Sequence, residues 1–100
     1  MTDRVLSMIG IARKAGKLTS GEFLVEDSVR KGKACLVILA TDAAANSSKN
    51  LTDCTNYYKI PLVVYGTKES LGKAIGREQR VAVSIFDPGI ANKIITLTQK

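Results

Sequence analysis

Apolar and polar positions alternate along this chain in two periods, and the switches between them mark out nine elements. Asp3 can cap a first helix, and Val5, Met8, Ile9 and Ala12 follow at i, i+3, i+4 and i+7. Gly16 fits just past its end, and Lys17-Leu18-Thr19 is a short extended piece. Ser20 can cap a second helix running to Gly32. The run Cys35-Leu36-Val37-Ile38-Leu39-Ala40 is continuously apolar and bounded by polar residues, the pattern of a strand buried on both faces. Thr41-Asp42-Ala43 reads as the entry to a polar helix carrying Leu51, Cys54 and Tyr58 on one side.

Pro61-Leu62-Val63-Val64-Tyr65 reads as a second buried strand, with the proline confined to its first residue. Thr67 can cap a helix over 68–75 that Gly76 closes, and Val81 through Phe86 forms a third main strand. Asp87-Pro88 then starts a last helix: the aspartate caps, the proline presets φ, and Ile90, Ile94 and Leu97 line one face. Buried strands alternating with helices imply one sheet with helices on both faces, a three-layer α/β/α sandwich with four strands. At 100 residues the chain is sized for a single domain spanning 1–100, and a hydrophobic fraction of 45% is enough for one core.

Composition narrows the chemistry. There is no histidine, which removes the commonest general base and metal ligand and every Ser-His or Cys-His arrangement. Cys35 and Cys54 lack CxxC spacing, and a reduced, buried role is expected for both. Glu22 and Glu26 are spaced i,i+4 and could hold a hard cation, but no further carboxylate is locally placed to complete a site. No stretch matches GxGxxG or GxxxxGK[ST], so no nucleotide cradle is visible. The expectation is a chain without catalysis, cofactor, metal or small-molecule substrate. No apolar run approaches the roughly 18 residues that span a bilayer, and Met1-Thr2-Asp3-Arg4 does not open a signal peptide, so a cytoplasmic protein is expected.

Charge points toward a polyanion. Fifteen Lys and Arg against nine Asp and Glu give a net charge of +6. Arg13, Lys14, Lys17, Arg30, Lys31 and Lys33 form one cluster along the chain, and Lys68, Lys73, Arg77 and Arg80 a second. Between residues of the first cluster, the second helix puts Val25 and Val29 on one face and Phe23, Asp27 and Arg30 on the opposite one. Phe23 therefore either folds over a neighbouring loop or stands as a contact residue beside the free N–H groups of a helix start.

Four segments carry a resemblance to a known family. Ala12-Arg13-Lys14-Ala15-Gly16-Lys17-Leu18 with Ser20-Gly21, Lys31 through Ala43, Leu71 through Gly76, and Asp87-Pro88-Gly89 resemble, in order, the ribosomal protein L7Ae/L30e family, in its small bacterial cytosolic branch. The resemblance implies an L30e-like mixed sheet and RNA binding associated with the ribosome or translation. Family members grip kink-turn RNA with the start of the second helix and the loop before the last strand, which correspond here to Gly21–Asp27 and Gly76–Val81. Lys17 matches a basic position near the same RNA surface.

Three positions depart from that pattern. Where kink-turn binders carry Asn or Lys, then Glu or Gln, and a Lys three residues later, this chain has Phe23, Leu24 and Asp27. Phenylalanine and leucine offer no side-chain donors or acceptors to base edges, and Asp27 reverses a charge. The expected RNA-binding set is Arg13, Lys14, Lys17, Gly21, Glu22, Phe23, Leu24, Asp27, Arg30, Arg77 and Arg80, with Phe23 stacking on an unpaired base and the cations meeting phosphates. The rival expectation is a protein-interaction module that docks a translation-related partner on the Phe23-Leu24 face.

Overall fold

The structure is a computed structural model that describes residues 3–99. Its elements in chain order are α1 (Arg4–Lys14), β1 (Leu18–Ser20), α2 (Glu22–Arg30), β2 (Leu36–Leu39), α3 (Ala45–Tyr58), β3 (Leu62–Val64), α4 (Lys68–Ala74), β4 (Ala82–Ile85) and α5 (Pro88–Thr98). The strands form one mixed sheet in the order β1-β4-β2-β3. β4 is antiparallel to both its neighbours, with Ser20 opposite Val83 and Leu39 opposite Ala82. β2 and β3 are parallel, with Val37 opposite Leu62, and a parallel pair requires a crossover, which α3 supplies.

Two apolar clusters lie on the two faces of this sheet. Strand alternation sends Leu36, Ile38, Val83 and Ile85 to one face, where Val5, Ile9 and Ala12 of α1, Leu71 of α4, and Ala91 and Ile94 of α5 meet them. Val37, Leu39 and Ala82 face the other way, onto Val25 and Val29 of α2 and Leu51 of α3. The chain is therefore the three-layer α/β/α sandwich with a four-stranded mixed sheet that the periodicities predict. Two serines belong to the second face. The Ser28 and Ser84 hydroxyls share a 2.9 Å hydrogen bond between α2 and β4, and Ser28 Oγ also donates to the Val25 carbonyl.

The caps expected at Asp3, Thr67 and Asp87 are all in place. Asp3 accepts from Leu6 N, Asp87 from Gly89 N and Ile90 N, and Thr67 forms a reciprocal capping box with Ser70.

Other local expectations are corrected. Ser20 does not cap α2: it is the last residue of β1, and Gly21 takes the N-cap position. Asp42 does not cap α3 but crosses to accept from Lys68 N at the start of α4. β3 is not buried on both faces. As the outermost strand it packs on one side only, leaving Leu62 and Val63 half-buried and Val64 56% exposed. On α3 the buried partner of Leu51 is Thr55, whose hydroxyl donates to the Leu51 carbonyl, while Tyr58 is exposed against the edge of Tyr57. Both cysteines are free and only partly buried; burial, with the nearby Glu26 charge, pushes the Cys54 thiol up.

Candidate functional site

The start of α2 is built around one glycine. Gly21 adopts φ 93°, a conformation closed to side chains by strain, although the space around it is open. That turn lets the chain leave β1 and enter a helix at once, held by Gly21 N donating to the Ala82 carbonyl of β4. No side chain caps α2, so the amides of its first turn, from Glu22 to Leu24, have no intrahelical partner.

The loop before β4 arrives at the same place. Arg80 Nε donates to Ser20 Oγ at 3.2 Å and its Nη1 to the Gln79 carbonyl at 2.9 Å, fixing the guanidinium beside the helix start. Ser20, Gly21, Glu22, Phe23, Leu24, Gln79, Arg80 and Val81 together line one shallow groove. The loop is also a ridge, because Gln79 and Arg80 line a second groove on its far side with Glu69, Lys73, Arg77 and Glu78. The ridge is seated on α4. Arg77 N donates to the Gly72 carbonyl and Arg80 N to the Lys68 carbonyl, and the absence of a side chain at Gly72 is what admits Glu78.

Phe23 is 73% exposed and Leu24 51% exposed, so the ring is not folded down over a neighbouring loop. Phe23 thus stands exposed at the helix start. Glu22, by contrast, turns its carboxylate toward α3, accepting from Ser47 Oγ at 2.6 Å and Asn50 Nδ2 at 3.0 Å. Those two bonds, Ser47 first, hold its carboxyl below the usual range. Glu22 and Glu26 do not make a cation site together, since Glu26 pairs with Arg30 at 3.1 Å. Among the described residues no three potential ligands gather. Asp27, one helical turn beyond Phe23, is matched by Lys31 at 3.1 Å, so the position presents a neutral pair.

The expected set is thus brought together in part. Gly21, Glu22, Phe23, Leu24 and Arg80 share the first groove, and Arg77 lies in the adjoining one. Arg30 ends α2, about 10 Å along the helix from Phe23, given a rise of ~1.5 Å per residue. Arg13, Lys14 and Lys17 do not flank the start of α2. They sit where β1 begins, while Gly21 follows where it ends. Gln79 and Val81 complete the groove from within the expected loop Gly76–Val81, although neither was singled out, and Ser20 joins them from outside both expected segments. Ser20 could have been found only by knowing that Arg80, sixty positions away, would reach it.

An α/β/α sandwich whose accessible groove lies between a helix start and a sheet-edge loop defines an architecture rather than an activity. The comparisons define the family. The description "Ribosomal protein L7Ae/L30e/S12e/Gadd45 family" matches residues 3–95, and the chain belongs to that family. Over 90 residues it is 44% identical to the RNA-binding protein YlxQ of Bacillus subtilis strain 168, covering 90% of each chain. It is 34% identical over 90 residues to the RNA-binding protein YlxQ of Enterococcus faecium, covering 90% of this chain and 86% of that one. A Bacillus halodurans protein of unknown function superposes with a TM-score of 0.92 at 38% identity, over 96% of this chain and 97% of that one. The 15.5 kD RNA binding protein of Giardia lamblia, 22% identical, superposes with a TM-score of 0.80 over 97% of this chain and 89% of that one, a likeness of fold.

Proposed function

We propose that this chain is a non-catalytic RNA-binding protein, one domain over 1–100, whose contact surface is the groove between the start of α2 and the loop before β4. The observation that carries the reading is the meeting of Arg80 with the uncapped first turn of α2. Guanidinium and free helix amides together favour a phosphate. Gly21, Glu22 and Leu24 shape the wall, and Arg77 extends the cationic surface over the ridge. The relatives named RNA-binding protein YlxQ support the same partner.

The surface differs from an ordinary kink-turn reader at two of its exposed residues. Phe23 and Leu24 cannot hydrogen-bond base edges, but an exposed ring can stack on an unpaired base. The neutral Asp27–Lys31 pair weakens phosphate attraction one turn further on. The RNA is ribosomal or translation-associated, and the protein works in the cytoplasm; the ribosomal members of its family support the first statement. No helix among the described residues is long and apolar enough to cross a membrane.

The test is binding of purified protein to a labelled kink-turn RNA and to a mixed-sequence single strand, each at low and moderate salt. Phe23→Ala is expected to weaken the preferred RNA by about 1–3 kcal/mol, the cost of one stacked base. Unchanged affinity would remove Phe23 from the interface. A second reading draws on the same exposure: Phe23 and Leu24 could dock a protein partner. Such docking tolerates added salt, whereas phosphate contacts lose affinity steeply.

A further inference from the structure

The end of the sheet opposite that groove gathers five cations from separate parts of the chain. Lys17 precedes β1, and its carbonyl accepts from Phe86 N; Cys35 N donates to the Ile85 carbonyl, and Val37 N to the Pro61 carbonyl. The beginnings of β1, β2 and β3 and the end of β4 therefore lie side by side, over roughly 14 Å at ~4.8 Å per strand. Arg13 and Lys14 reach this end in the last turn of α1, whose chain is tied to it by Lys17 N on the Ala12 carbonyl. Lys33 reaches it two residues before Cys35, and Lys59 two residues before Pro61.

All five of these side chains belong to exposed residues, and none forms an ion pair among the described residues, whereas Arg30, Lys31 and Lys49 are each matched by a carboxylate. The acids near this end are engaged: Asp27 holds Lys31, and Asp87 caps α5. Arg13 and Lys14 offset the dipole of α1, but Lys17 and Lys33 lie outside any helix, so the dipole does not explain them.

Lys59 adds an independent sign. It holds φ 60° and ψ 41°, the left-handed region that glycines occupy at the other such turns, and it is the only described non-glycine residue with positive φ. A glycine would close α3 there with less strain, so the lysine is carried against the backbone preference of that position.

We propose that this end is a second RNA-binding surface, which takes the phosphate backbone of an RNA duplex through Arg13, Lys14, Lys17, Lys33 and Lys59. The proposal rests on the RNA-binding reading and splits it in two: the Phe23 groove holds irregular RNA, and the opposite end holds a helical arm. Cations spread across the sheet's width and over both helix layers suit the broad face of a duplex, which is recognised by shape and phosphate.

The test uses the full chain and a mixed-sequence, fully paired RNA duplex of about 20 base pairs. Fluorescence anisotropy is read over a salt series, with the single strand of the first test run in parallel. The variant with Arg13, Lys14, Lys17 and Lys33 all changed to Ala is expected to flatten the salt slope by about 0.9 per lost phosphate contact. Phe23→Ala leaves duplex binding unchanged. Lys59→Gly is expected to raise the Tm while weakening the duplex several-fold. Duplex affinity that is absent in the wild type, that survives the fourfold and Lys59 changes, or that falls with Phe23→Ala overturns the proposal. Retention of single-strand or kink-turn binding in that case leaves the first groove standing, and loss of all RNA binding sinks the underlying reading instead.

Discussion

Gly72→Ala separates what local propensity dictates from what the tertiary structure dictates, because the two give opposite signs. Gly72 lies inside α4, where alanine is favoured over glycine by about 0.8–1.0 kcal/mol. From propensity alone, the substitution stabilises the protein. In the fold, however, a Cβ at this position would stand 1.8 Å from the Glu78 carbonyl oxygen and 2.6 Å from its carbon. Opening 1.8 Å to the 3.0 Å below which real Cβ atoms are essentially never found asks for roughly 1.2 Å of backbone movement. The loop is not free to supply it, since Arg77 N is bonded to the Gly72 carbonyl at 2.8 Å and Arg80 N to the Lys68 carbonyl at 3.0 Å. Overpacking of this kind costs about 1–3 kcal/mol, and losing one of those hydrogen bonds about 1 more. After the propensity gain, the net is a destabilisation of about 2 kcal/mol, which lowers the Tm by roughly 8–16 °C in a domain of this size. The displaced ridge also carries Arg80 away from Ser20, so RNA affinity falls with stability. Thermal unfolding followed by circular dichroism, with anisotropy on the folded variant, decides the matter. A Tm equal to or above that of the parent would refute the close packing of loop on helix.

Two further substitutions probe polar links inside the sandwich. Ser28→Ala strands the buried Ser84 hydroxyl and should cost about 1–3 kcal/mol in urea unfolding, with Ser84→Ala in the same chain recovering part of it; strict additivity would show that the two hydroxyls are uncoupled. Tyr65→Phe removes the 2.6 Å hydrogen bond to Asp3. Burial raises the Asp3 carboxyl, but the Tyr65 hydroxyl and the Leu6 and Val5 amides outweigh it and hold it below its ordinary value. The same bond raises Tyr65 above its own. The link therefore stabilises above the unfolded carboxylate pKa near 4 and below the unfolded phenol pKa near 10, fading as pH falls through the lowered value or rises through the raised one. The Tm gap between parent and Tyr65→Phe should be widest near neutrality and close at both extremes, and a gap independent of pH would contradict the link.

Most of the architecture was legible because it is encoded locally. Asp3, Thr67 and Asp87 each act on an amide two or three residues away, within reach of a pattern read along the chain. The runs at Cys35–Ala40 and Val81–Phe86 became the two central strands because a strand flanked on both sides and covered on both faces must be nearly all apolar, the one polar residue, Ser84, being satisfied by Ser28. The run at Pro61–Tyr65 looks the same but became an edge, since position within a sheet depends on which strands pair, a long-range fact. Ser20 and Asp42 were misread for a related reason. Each has the right side chain to cap the helix that follows it, but Arg80 engages the first and Lys68 N the second. Short polar side chains satisfy whichever partner the fold brings nearest, and sequence distance does not rank the candidates.

The candidate site shows the same limit more sharply, because in an alternating fold a strand separates chain neighbours and joins chain strangers. Phe23 was legible as lying opposite Val25 and Val29, since that angle is fixed by helical geometry alone, but whether a loop met it there was not. Lys17 and Gly21 are four positions apart, yet β1 runs between them and delivers them to opposite ends of the sheet, about 13 Å apart at ~3.3 Å per residue. Ser20 and Arg80 are sixty positions apart and touch. A cluster counted along the chain, such as the six cations between residues 13 and 33, therefore mixes groups from different surfaces. The net charge of +6 does not describe one basic face. Part of the basic charge is an arginine pair near an uncapped helix start and its exposed aromatic ring, and part is a mostly lysine set at the far end. On the proposed reading, charge at the first would locate a phosphate next to a base, and charge at the second would register only a backbone.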